Sequence, residues 1–91
     1  MSLFIGVNAE FPRIENGHIE EIFNRLREKK WVKIKNIGRG SSTLWFARFK
    51  DEVDLDTALL LAEKEFTQCS EPYAKPKMVI HAGYNKPKII L

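Results

Sequence analysis

Thr43-Leu44-Trp45-Phe46-Ala47-Arg48-Phe49 is the stretch on which the reading of this 91-residue chain turns. Its strict alternation predicts a strand whose successive side chains leave opposite faces. Trp45, Ala47 and Phe49 make a core row. Leu44, Phe46 and Arg48 fall on the other face, and an aliphatic, an aromatic and a guanidinium are odd choices for water. A sheet that shows an aromatic beside an arginine is suited to stacking an unpaired base and holding its phosphate. The same pattern also fits a strand covered on both faces.

Residues 3–11 alternate too, with Leu3, Ile5, Val7, Ala9 and Phe11 on one face and Phe4, Gly6, Asn8 and Glu10 on the other. Past Pro12, Asn16 or Gly17 is expected to cap a helix in which Ile19, Ile22, Phe23 and Leu26 recur at helical spacing. Glu20 and Glu21 lie early in that helix and Lys29 and Lys30 late, in keeping with its dipole. Trp31 to Ile37 then alternate, Val32 and Ile34 facing one way and Lys33 and Lys35 the other. Gly38-Arg39-Gly40-Ser41-Ser42 has the composition of a hairpin connection into the quoted strand.

Beyond that strand, Asp54 is a good N-cap for a second helix lined by Leu55, Ala58, Leu59, Ala62 and Phe66, to which Leu60 or Leu61 is surplus. Residues 68–76 read as a loop and Met78 to Ala82 as a last strand. Gly83-Tyr84-Asn85-Lys86-Pro87 turns the chain, and the apolar Ile89-Ile90-Leu91 suggests that residues 84–91 add an edge strand or form a docking tail. The order predicts one α+β domain over residues 1–91, a ferredoxin-like β-α-β-β-α-β sandwich. Its antiparallel sheet would carry both helices on one face. Right-handed crossovers would put the first and third strands together at the centre, making Phe4 and Phe46 neighbours on the face that no helix covers.

Composition narrows the classes. Apolar content of 44% and charged content of 30% describe an ordinary globular chain. A lone Cys69 forms no internal disulfide, which favours a reducing compartment. The start lacks the basic, then long apolar, pattern of a signal peptide, and no apolar run approaches a membrane span, so a cytoplasmic location is expected. Net charge is +3, but nine basic side chains crowd residues 24–50 against the single acid Glu28. Such a block favours an anionic partner, although lysines and arginines also simply solvate helix ends and edge strands.

Leu3-Phe4-Ile5-Gly6 resembles the short first-strand motif of the RNA-recognition motif family. Leu44-Trp45-Phe46-Ala47-Arg48-Phe49 resembles the latter part of that family's third-strand motif. The continuation, an acidic cap and then Ala58 in a helix, is similar as well. The chain departs from the family pattern at Leu44, which is not aromatic, and at Trp45, where a small residue is usual. The resemblance implies single-stranded RNA as partner, with Phe4 and Phe46 stacking bases and Leu44 in the second stacking position of the third strand. Lys33, Lys35 and Arg48 would then hold phosphates, Arg39 would reach in from the hairpin, and His81 or Lys77 would contribute from the last strand.

Nothing in the sequence forms a reactive constellation, and no metal or cofactor is expected. Only His18 and His81 accompany Cys69, without a CxxC, HExxH, P-loop or GxSxG pattern. Small ferredoxin-like nucleases that need a metal carry an Asp at the end of the first strand, where this chain has Asn8 and then Glu10. A neutral amide brings no charge to a divalent cation. The expectation is therefore a non-enzymatic nucleic-acid-binding or regulatory domain. The competing reading is a homodimer, or a regulator of an acidic protein partner, built on the same sheet face. A weaker alternative is a ribonuclease using Glu10 or His81.

Overall fold

A computed structural model describes residues 3–12, 14–36, 42–49 and 53–84, with Lys35, Asn36 and Ser42 described by backbone alone. Six elements follow in the order β1 (Leu3–Glu10), α1 (Asn16–Glu28), β2 (Val32–Asn36), β3 (Ser42–Phe49), α2 (Leu55–Ser70) and β4 (Lys77–Gly83). The four strands form one sheet in the order β2-β3-β1-β4. Every adjacent pair is antiparallel, and β1, held between β3 and β4, is central. The architecture is α+β, an open antiparallel sheet with two helices. The hairpin connection expected at residues 38–42 and the tail beyond Tyr84 lie outside the described residues, apart from Ser42 at the start of β3.

Alternation in β1 sends Leu3, Ile5, Val7 and Ala9 fully into the core. Trp45 and Ala47 join them from β3, and Met78, Ile80 and Ala82 from β4 pack against the same cluster. From the helices, Ile22 and Leu26 of α1 and Ala58, Ala62 and Phe66 of α2 close over this row, so both helices cover one face. Small alanines on α2 let it lie close while Phe66 fills the space between the rings of Trp31 and Trp45, 5.5 and 6.5 Å away by centroid. Buried polar groups in this core are paired: Trp45 Nε1 donates to Thr43 Oγ1 at 2.9 Å.

Several boundaries differ from the sequence reading. Asn16 and Gly17 are the first helical residues of α1 rather than its cap; Glu15 holds the N-cap position and makes no side-chain capping bond. At the other end Lys29 is the C-cap and Lys30 lies beyond the helix with φ 70°. Lys30 N–H donates to the Arg27 carbonyl at 3.0 Å and Trp31 N–H to the Leu26 carbonyl at 3.0 Å, the paired bonds of a Schellman stop. Asp54 does cap α2, accepting from the Thr57 N–H at 2.9 Å and the Thr57 hydroxyl at 2.7 Å.

Helix α2 runs on through Ser70, so Gln68, Cys69 and Ser70 are helical and not loop. Ser70 Oγ satisfies itself on the Phe66 carbonyl at 3.0 Å. The stop comes from Pro72, which forces Glu71 into an extended conformation. The following loop is pinned to α1: Tyr73 lies between the ring of His18, stacked at 4.4 Å, and the guanidinium of Arg25, 5.2 Å from its centroid. Arg25 Nη1 also donates to the Glu71 carbonyl at 2.6 Å. Leu60 and Leu61 are both surplus to the core, 69% and 44% exposed.

Candidate nucleic-acid interface

The helix-free face is ordered in rows by the strand register. In one row Arg48 of β3 stands opposite Phe4 of β1, with Gly83 of β4 beyond. In the next, Val32, Phe46, Gly6 and His81 follow one another across all four strands. The third contains Leu44, Asn8 and Val79, and the fourth pairs Glu10 with Lys77. Phe4 and Phe46 are thus diagonal neighbours, about 7–8 Å apart at the backbone, a separation that aromatic side chains bridge. Both are half-buried, as are Leu44 and Asn8, while Arg48, Lys77 and His81 are exposed. None of the rings of Phe4, Phe46 and His81 is engaged with another ring among the described residues.

Lys33 is not on this face, against the sequence expectation. It pairs with the core residue Trp45, and its Nζ sits 4.8 Å from the centroid of the Phe23 ring of α1. The cause is a register shift between Lys33 and Lys35: two steps along β2 are matched by one along β3, leaving Ile34 as the extra residue. A bulge breaks strict alternation, so Lys33 and Lys35 cannot share a face. Lys35 pairs with Leu44 and therefore occupies an open-face register position. Val32, expected on the face opposite Lys33 and Lys35, shares the open face with the register position of Lys35 and is 49% exposed. Arg39 lies outside the described residues.

The rows also contain residues that were not among the binding candidates expected from sequence. Val79, 57% exposed, and Gly6 are on the open face with the predicted set. Gly6 carried a readable signal, since glycine inside a strand is unfavourable and marks a special position. Arg48 and Lys77 give the face basic character, and Glu10, the acid on these rows, stands directly across from Lys77.

The two residues of the ribonuclease alternative, Glu10 and His81, stand apart on the open face. Glu10 pairs with Lys77 and His81 with Gly6, so the two groups lie four residues apart along β1, about 13 Å. Cys69 is buried, and burial together with the nearby Glu65 carboxylate pushes its thiol pKa up, away from the reactive thiolate. No group of three or more His, Cys, Asp or Glu among the described residues is placed to hold a metal ion. No helix among them is long and apolar enough to cross a membrane.

No protein-family model matches this sequence, and comparison with curated proteins and with solved structures finds no match.

Proposed function

We propose that the open sheet face binds single-stranded RNA, in a ferredoxin-like domain of the RNA-recognition type that acts by binding and not by catalysis, in the cytoplasm. The sheet order β2-β3-β1-β4 under a β-α-β-β-α-β chain supports the ferredoxin-like reading. The observation that carries the functional reading is the cluster of Phe4, Phe46 and Arg48, an arginine directly across from one aromatic and beside the other. Two ring faces offer bases about 1–3 kcal/mol each by stacking, and the guanidinium supplies a phosphate contact. Phosphate contacts then come from Arg48, Lys77 and the register position of Lys35, without Lys33.

NMR titration of the whole chain with mixed-sequence single-stranded RNA, at low and at moderate salt, tests this. Shifts clustered at Phe4, Phe46, Arg48 and His81, weakened by salt and removed by Phe46→Ala, support it. An unchanged spectrum at low salt overturns it.

A second reading is favoured by Val32 and Val79. These exposed valines lie on the two edge strands and extend the apolar surface of Phe4, Leu44 and Phe46 across the whole sheet. A second copy of the chain, or an acidic protein partner, would cover such a surface. Sedimentation as a dimer that dissociates on Phe46→Ala, without RNA binding, would establish it.

A further inference from the structure

Gly6 lies inside β1, the central strand, where glycine costs about 0.5–1 kcal/mol relative to alanine. Its surroundings do not require it. It pairs regularly with Phe46 on one side and His81 on the other, and its backbone is not in the left-handed region that favours glycine. A Cβ built on it would meet, among the described residues, only the Trp45 carbonyl oxygen at 4.0 Å, an ordinary van der Waals distance. Neither backbone conformation nor crowding by these residues accounts for the glycine. The close approach of another group to the strand is a physical reason for glycine at such a position.

The neighbours of Gly6 indicate which group. Phe46 and His81 stand on the strands either side of it, so their backbones are separated by two strand spacings, about 10 Å. Backbones at that spacing leave room for a planar ring between the two side chains. Phe4 and Asn8 bound the gap along β1, and the Asn8 amide brings both donors and an acceptor to its end. Arg48 and Lys77 put positive charge on the same face, matching an anionic strand rather than an uncharged ring compound.

We propose that Gly6 is the floor of a base seat, in which one unpaired base of a single-stranded nucleic acid inserts between the rings of Phe46 and His81 with its edge against the Gly6 backbone. This rests on the reading of the face as a nucleic-acid interface, and it adds a sandwich contributed by β3 and β4 to stacking on single aromatics. The absent side chain is then the feature that admits the ligand. Any side chain at position 6 fills the seat.

Gly6→Val is the decisive variant, because valine suits a strand and its Cβ meets only an ordinary contact here. The expected result is an unchanged or raised thermal midpoint, with affinity for a fluorescent single-stranded RNA of about 12 nucleotides falling at least tenfold. His81→Ala should weaken the same complex about fivefold or more. In the wild-type protein the Gly6 amide and the His81 ring protons should shift on RNA addition, a readout that needs no variant. If the wild type binds RNA but these signals stay still, or folded Gly6→Val binds as the wild type does, the seat is overturned while the interface stands. If the wild type binds no RNA at low salt, both fall. Should the wild type instead dimerise and Gly6→Val be a monomer, the close approach belongs to a second copy and the seat is again overturned.

Discussion

Trp31 Nε1 donates a hydrogen bond to Glu65 Oε1 at 2.8 Å, fastening the residue that ends the α1 turn to the middle of α2. The indole is 1% exposed and packs edge-on against Phe49 and Phe66, so its N–H has no ready access to water. Glu65→Ala removes the acceptor and leaves this donor unpaired. The expected loss is about 1–3 kcal/mol, read from urea denaturation at neutral pH. Glu65→Gln keeps an acceptor and should recover most of it.

Lys30 occupies the left-handed position of the Schellman stop with φ 70°, a conformation that costs a side-chain-bearing residue. Lys30→Gly removes that cost and adds backbone entropy to the unfolded chain. The net expectation is a gain of up to about 1 kcal/mol in unfolding free energy. A loss of stability would mean that the Lys30 side chain makes a compensating contact.

Asp54 is held below the ordinary aspartate pKa, chiefly by the Thr57 N–H and then by the Thr57 hydroxyl. Because folding lowers this pKa, protonation favours the unfolded chain. The cap's contribution is complete above the ordinary aspartate range and is lost as the pH falls through the lower folded-state value. Asp54→Ala should lower the thermal midpoint at neutral pH and flatten its decline in acid, with the two proteins converging at low pH. Parallel melting curves at every pH would contradict the capping role.

Lys33 and Arg48, both basic, should part company in binding assays. Arg48→Ala is expected to reduce the slope of log affinity against log salt by about 0.7, the value of one phosphate on a single strand. Lys33→Ala should leave that slope unchanged and instead cost about 0.5–1 kcal/mol of stability through the lost contact with Phe23. Equal slopes for the two variants would contradict the placement of Lys33 on the helix side.

Regular alternation made much of the fold legible. The inward row of β1, the faces of β3 and the Asp54 cap all follow from side-chain period and one capping oxygen, because each is a local property of consecutive residues. Where several elements combine, sequence gave less. The bulge at Ile34 leaves no mark in Val32-Lys33-Ile34-Lys35, since what defines it is the partner strand. It moved Lys33 to the helices and Val32 to the open face. The end of α2 was obscured for another reason: Gln68, Cys69 and Ser70 are loop-like by composition, yet Cys69 and Ser70 are buried and helical. The stronger signal was Pro72, two residues past the helix.

The bulge also makes the two edges of the sheet unequal. An incoming strand needs an unbroken run of donors and acceptors at constant spacing, and the irregular step in β2 interrupts that run. The strand β4 keeps an uninterrupted register with β1 from Lys77 to Gly83 and contains no proline. Among the described residues, growth of the sheet by another chain is thereby disfavoured along β2 relative to β4. Between these two described edges, pairing along β4 alone would join two copies without propagating as a fibre.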